Sequence, residues 1–178
     1  MEKTHYYDKN PETPSKINKI QTRISGLDFV FETDSGVFSK NAIDFGSNLL
    51  LETVIDELKA KKRNLLSILD LGCGYGPVGI VLKRIFPEIT INMTDINERA
   101  LALASRNAIN NHVKFANIFA SDAHEGVEAS YDVILTNPPV RAGKKTVFRF
   151  YENSFQILNP GGALYVVIQK KQGAPSSE

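Results

Sequence analysis

The run Leu65-Leu66-Ser67-Ile68-Leu69-Asp70-Leu71-Gly72-Cys73-Gly74-Tyr75-Gly76-Pro77 decides the fold. Residues 65–71 are apolar except for Ser67 and Asp70, the pattern of a strand buried on both faces. A turn with three glycines follows, and Pro77 then stands where a helix over residues 77–85 tolerates proline, in its first turn. Strand, glycine turn and helix form the opening unit of a parallel sheet, which holds its ligands beyond the carboxyl ends of its strands.

The same grammar continues outward. Strands are expected at 89–94, 113–120, 132–136 and 163–168, and helices at 98–110, capped by Asn97, and at 146–158. Asn159-Pro160-Gly161-Gly162 reads as the turn before the last strand. Upstream, Ile20, Thr22 and Ile24 alternate, as do Leu27, Phe29 and Phe31, with Ser25-Gly26 between them as a hairpin turn. Residues 43–58 place Leu50, Val54 and Leu58 on one helical face. The expected fold is α/β: a Rossmann-like, doubly wound, mostly parallel sheet with helices on both faces, preceded by a short β-hairpin and a helix. Residues 1–19, polar and holding two X-Pro pairs, read as a flexible leader. Residues 20–178 read as one domain, with the hairpin at 20–36 and the core at 37–173.

Composition narrows the class. A chain of 178 residues, 42% hydrophobic, fits one domain with a real core. The single cysteine, Cys73, excludes an internal disulfide framework. His5, His112 and His124 lie far apart without cysteine partners, so no metal site is expected. Twenty-one Lys and Arg against 20 Asp and Glu exclude a polybasic binder but leave room for a local basic patch. The apolar stretch 163–168 is too short to span a membrane, and the N-terminus has no apolar signal core, so a soluble cytoplasmic protein is expected.

Gly74, Gly76 and Gly79 match the dinucleotide pattern G-x-G-x-x-G, which leaves a nicotinamide site open at first. Asp70 turns the balance: a carboxylate before the first glycine repels a pyrophosphate and attracts a cationic methionine portion. Asp95, ending the second strand, is suited to both ribose hydroxyls, and Asp122, ending the third, to the exocyclic amine of adenine. Each acid alone is equally well a turn or cap residue; three at successive strand ends favour a ligand. Cys73 has no His or Lys near it in sequence and reads as a small filler, not a nucleophile. Asn137-Pro138-Pro139 then ends a buried strand abruptly. The prolines fix the chain extended. The Asn137 side-chain oxygen and the Pro138 carbonyl can accept both N–H groups of a planar amine and draw its lone pair out of conjugation.

Together, Asp70-Leu-Gly-Cys-Gly-Tyr-Gly, Asp95-Ile-Asn, Asp122 and Asn137-Pro-Pro resemble the motifs of class I S-adenosylmethionine-dependent methyltransferases that methylate amines. Gly36-Val37-Phe38-Ser39, followed by Asp44, Gly46 and Leu49-Leu50-Leu51, is similar to the RsmC-like ribosomal RNA guanine-N2 methyltransferases of the MTS superfamily, in their short single-domain form. The resemblance implies S-adenosyl-L-methionine as cofactor. It implies Asp70, Gly72, Cys73, Gly74, Gly76, Asp95, Ile96, Asn97, Ser121, Asp122, Ala123 and Asn137 as its binding residues, and Asn137, Pro138 and Pro139 as the catalytic turn.

On the substrate side the family's stacking aromatic is replaced by Val140, and Phe38 is the expected substitute ring. Phe38, Ser39, Val140, Arg141, Lys144 and Lys145 are the expected substrate-binding residues. Arg149, Lys170 and Lys171 would extend a basic rim for RNA phosphates, most simply of ribosomal RNA. Because that family's sheet continues past a fifth strand, further C-terminal strands are expected beyond Glu178. The alternatives are methylation of adenine N6 or of a protein glutamine, and an S-adenosylmethionine-binding module without turnover.

Overall fold

The computed structural model describes residues 13–37, 39, 41–61, 66–114, 116–122, 129–139 and 143–168, the side chains of 61, 144 and 146 excepted. Its elements run β1 (Asn18–Ile24), β2 (Leu27–Thr33), α1 (Phe45–Lys61), β3 (Ser67–Leu71), α2 (Pro77–Ile85), β4 (Thr90–Asp95), α3 (Glu98–Asn110), β5 (Asn117–Ala120), β6 (Tyr131–Thr136), α4 (Lys144–Gln156) and β7 (Leu158–Val166). β3 to β7 form one sheet in the order β5-β4-β3-β6-β7, with every neighbouring pair parallel. The chain winds outward from β3 to β5, then crosses back to β6. The reversal point lies between β3 and β6, where a doubly wound sheet opens its ligand crevice. The expected α/β fold is the observed one.

Adjacent strand residues face opposite ways, and the two sides of β3 show it. Ile68 joins Ile80, Leu82, Met93 and Leu103 in a core with residues of α1, α2, α3 and the hairpin. Leu69 and Leu71 join Tyr131, Ile134, Phe150 and Ile157 on the side of α4. The helix α1 buries Leu50, Val54 and Leu58 as its pattern predicts, and Leu51 and Ile55 with them. Among the described residues no helix is long and apolar enough to cross a membrane, and no group of His, Cys, Asp or Glu could hold a metal ion.

The hairpin turns at Ser25 and Gly26, whose φ angles of 49° and 81° are both positive, the twist that a two-residue connection favours. Phe29 and Phe31 are 1% and 0% exposed. Burying each contributes about 1.5–3 kcal/mol and holds the hairpin on α3. The outer edge of β2 is closed by two carboxamides, one within α3 and one at its C-terminal cap. Asn111 accepts from Val30 N–H at 3.0 Å and donates to its carbonyl at 2.8 Å; Asn107 does the same with Glu32 at 2.6 and 2.9 Å. These side chains stand in for a missing strand and protect the edge.

Several boundaries differ from expectation. The end of the expected loose leader is tied down: Ser15 Oγ and Lys16 N–H donate to Asp34 at 2.8 and 2.6 Å, and β1 already begins at Asn18. Residues 1–12 lie outside the described ones. The third parallel strand starts at Asn117, not 113, because Val113 N–H closes the end of α3 by donating to the Ala108 carbonyl at 2.8 Å. The expected turn at residues 159–162 lies inside β7. Tyr131 pairs with Leu158 and Val133 with Ala163, so a two-residue step on β6 faces a five-residue step on β7. Pro160 has no N–H for a ladder and Gly161 adopts φ 79°, so the chain bulges and then resumes pairing.

Candidate functional site

The first half of the crevice is the turn after β3. Gly72 and Cys73 N–H both donate to the Thr94 carbonyl at 2.8 Å, which anchors the turn to the end of β4. Gly76, at φ 91°, enters α2, and a Cβ there would stand 2.8 Å from both Ile80 Cδ1 and Met93 Cε. Only glycine satisfies that φ and that space. Asn107, the hairpin's clasp, also donates to the Tyr75 carbonyl at 2.9 Å and so ties the turn to the hairpin.

Of the three acids predicted from sequence, Asp70 and Asp95 flank this turn, although not both as expected. Asp95 Oδ2 accepts from Gly74 N–H at 2.8 Å and Oδ1 from Asn97 N–H at 2.9 Å. Burial raises its pKa against the opposing pull of the N–H groups of Asn97, Gly74 and Ile96. Asp70 does not open toward a ligand. It is 3% exposed, and its Oδ2 accepts from Gly79 N–H at 2.9 Å. The reason is strand alternation: Asp70 points to the face of α2, whose first-turn N–H groups lack helical partners and attract a carboxylate. Burial, with a smaller push from the charge of Asp95, raises its pKa to about 7 despite the Gly79 bond. Cys73 is buried and its thiol is pushed well above the usual range, first by burial and then by Asp70 and Asp95, which keeps it protonated.

The remaining expected cofactor residues flank the turn. Ile96 follows Asp95 and is half-buried. The Asn97 carboxamide caps α3, accepting from Arg99 and Ala100 N–H at 2.9 and 3.1 Å, and donates to the Gly36 carbonyl at 3.1 Å. Ser121 N–H donates to the Asp95 carbonyl at 3.1 Å, which brings the end of β5 to the crevice. Asp122 is met by Arg149 Nη2 of α4 at 2.5 Å. The sequence places Arg149 on a basic rim for RNA phosphates; the structure pairs it instead with Asp122, two residues past β5. Ala123 lies outside the described residues.

The second half of the crevice is the turn after β6. Asn137 and Pro139 are half-buried and Pro138 is buried. The Asn137 amide Nδ2 donates to Asp44 Oδ1 at 3.1 Å and to Ser47 Oγ at 3.3 Å. The same Asp44 oxygen accepts from Gly46 and Ser47 N–H at 3.0 and 3.2 Å, which makes it the cap of α1. A Cβ on Gly46 would lie 2.8 Å from Val167 Cγ1 and 3.2 Å from Asn137 Nδ2, so α1 reaches the turn only through glycine. Tyr75 is 3% exposed, and its hydroxyl has no partner among the described residues. Burial and the charge of Asp44 push its pKa far above the usual phenol range, so it stays a neutral neighbour of that carboxylate.

Ser47 and Asn107 escaped the sequence reading. Asp44-Phe45-Gly46-Ser47, an acid with small residues two and three places on at the start of α1, is the signal for the first; nothing local signals the second. Of the expected substrate residues, Ser39 turns its hydroxyl to the Ala42 carbonyl at 2.5 Å, and Lys145 is exposed on the first turn of α4. Phe38, Val140, Arg141, the Lys144 side chain, Lys170 and Lys171 lie outside the described residues.

Comparison with known proteins places this geometry. Residues 28–177 match the methyltransferase small domain, MTS. The chain is 45% identical over 175 residues to YbxB, an uncharacterized protein of Bacillus subtilis, covering 97% of this chain and 85% of the relative. It is 39% identical over 136 residues to the ribosomal RNA small subunit methyltransferase C of Mannheimia succiniciproducens, covering 74% of this chain and 39% of that protein. Among solved structures it superposes with TM-score 0.79 and 29% identity on the T. thermophilus 16S ribosomal RNA guanine-N2 methyltransferase RsmC in complex with AdoMet and guanosine, covering 89% of this chain and 44% of that one. The chain thus spans about two fifths of the length of those ribosomal RNA methyltransferases. It belongs to the methyltransferase small-domain family, whose methyl donor is S-adenosyl-L-methionine.

Proposed function

With that family as premise, we propose that the protein is an N-methyltransferase acting on the exocyclic amine of a guanine, N2, in ribosomal RNA. One observation carries the reading: the Asn137 amide, in the turn after β6, is engaged through Nδ2 by the start of α1, which leaves Oδ1 as its acceptor. An acceptor at that place, beside a glycine turn, suits an amine and offers nothing to a hydride.

The residues present fit S-adenosyl-L-methionine. A Cβ on Gly74 would meet nothing within 4 Å, so the turn leaves open space above itself. Asp95, held by backbone N–H groups, keeps lone pairs for the ribose hydroxyls, and Asp122 lies just past β5 for the adenine amine. Asp70 contributes from below, by fixing α2 against the turn and by adding negative charge as it ionises near pH 7. Gly72, Cys73, Gly74 and Gly76 provide backbone, as do Ile96, Asn97 and Ser121; Ala123 is the expected further contact. When bound, the cofactor supplies an electrophilic methyl group.

On the acceptor side, Asn137 Oδ1 and the Pro138 carbonyl receive the two N–H groups of the amine. This loads electron density onto nitrogen and aims its lone pair. Pro139 keeps the turn extended. The displaced proton leaves to solvent, so no strong base is needed. Ser39 and Lys145, with Phe38, Val140, Arg141 and Lys144, are the assigned contacts to RNA. Ribosomal RNA as substrate is supported by the relatives named above.

The test is transfer of a labelled methyl group to total RNA, free ribosomal subunits and protein from a strain lacking this gene, followed by nucleoside analysis. N2-methylguanosine in ribosomal RNA is expected. Label in N6-methyladenosine or in protein glutamine overturns the substrate; no transfer to any of them overturns the reaction.

A further inference from the structure

The acceptor turn depends on which way one amide faces. Reversed, Asn137 would offer NH2 to the substrate amine, donor against donor. A free asparagine side chain has little preference between the two orientations. The fold imposes one. A carboxylate only accepts hydrogen bonds, so the group of Asn137 that meets Asp44 Oδ1 at 3.1 Å must be the NH2. Ser47 Oγ receives the same NH2 at 3.3 Å. Asp44 cannot drift away, because Gly46 and Ser47 N–H hold the same oxygen at 3.0 and 3.2 Å as the cap of α1.

We propose that Asp44, assisted by Ser47, is the positioning residue of this enzyme: the cap of α1 orients the Asn137 amide so that Oδ1 faces the reacting centre and the site selects N–H donors. This rests on the reading of Asn137 as acceptor for the substrate amine. The ionised partner does more than orient. A charged acceptor strengthens the bond from Nδ2 and polarises the amide, which makes Oδ1 a better acceptor. The neutral, buried Tyr75 beside Asp44 lowers the local polarity and sharpens both effects.

Capping and positioning separate by substitution. In Asp44→Ser the serine still caps α1, but its shorter side chain does not also reach Asn137. In Asp44→Asn both acceptors remain and the charge is lost. In transfer assays kcat is expected to fall about 100-fold in Asp44→Ser, the effect of a displaced catalytic group, with KM for RNA and Kd for the cofactor within about twofold of wild type. Asp44→Asn is expected to recover most of this loss, remaining about tenfold below wild type for want of the charge-assisted bond. A purely structural role would instead lower thermal stability without splitting kcat from KM.

A readout free of substrate accompanies the kinetics. In a 15N–1H spectrum of the whole chain the Asn137 carboxamide, assigned by its absence in Asn137→Asp, is expected at shifted, slowly exchanging positions. In Asp44→Ser it is expected to move to those of a solvated amide. A solvated amide in wild type, or an unchanged kcat in Asp44→Ser, overturns the inference. A wild-type protein that methylates no RNA overturns the proposed function, while the spectrum still decides whether Asp44 orients Asn137.

Discussion

The two halves of the crevice are built by different means. In the half proposed for the cofactor the carboxylates are held by backbone N–H groups: Asp70 by Gly79, nine residues on, and Asp95 by Gly74 and Asn97, 21 and two residues away. In the acceptor half Asn137 is held by side chains 93 and 90 residues away, Asp44 and Ser47. The first half is a property of the consecutive β3–turn–α2–β4 unit, whose turn is tied to Thr94 and Asp95 at the end of β4. The second exists only when α1 has docked against the end of β6. On the proposed reading, binding rests on a local construction and positioning on a long-range one, and each can be disturbed without the other.

The largest expected effect lies in the acceptor half. Asn137→Ala should lower kcat by on the order of 10²–10³-fold, the scale for losing one oriented polar group at a reacting centre, while calorimetric cofactor affinity holds within about twofold. Normal turnover in this variant would break the division between the halves. Next comes the turn. Gly76→Ala combines the cost of a positive φ with the crowding of Ile80 and Met93, and should lose about 2–4 kcal/mol in denaturant unfolding. Here both halves should fail together, because the turn carries the sheet's central connection.

A pH experiment sharpens the local half. The pKa of Asp70 in the folded chain is about 7, against an ordinary 3.8. Between these values the folded state binds more protons than the unfolded one, so this group's contribution is complete below about pH 4, falls as pH rises through 7 and is flat above. Asp70→Asn keeps an acceptor for Gly79 and should flatten that slope. The two proteins should match near pH 4, with the variant the more stable at pH 8, as read by melting temperature. The smallest effect is expected at the pair of Asp122 and Arg149, whose side chains are 34% and 45% exposed. Arg149→Ala should cost less than about 1 kcal/mol, diminishing with salt. A larger loss would mean that the pair braces α4 against β5 and belongs to the long-range half.

Periodicity and turn chemistry were enough to read the element types, the glycine turn at its place after β3, the Asn97 cap and the hairpin at Ser25-Gly26, because each is decided within a few residues. The bulge of β7 was legible as a turn but not as part of a strand, since only the pairing with β6 shows that the chain resumes its ladder after Gly162. Asp70 was legible as an acid at the right position. Its inward direction was not, because strand alternation says which residues share a face but not which face receives α2.

The chain by itself therefore determined the doubly wound fold, the family and the class of methyl donor, through motifs whose hydrogen bonds close over short spans. Tertiary structure alone decided three pairings: Asp44 with Asn137, Asn107 with both β2 and the glycine turn, and Arg149 with Asp122. The physical reason is the range of the interaction. A backbone turn is specified by the φ and ψ preferences of its own residues, whereas a bond across 93 positions depends on how α1 packs on the sheet, and no window of sequence contains that docking.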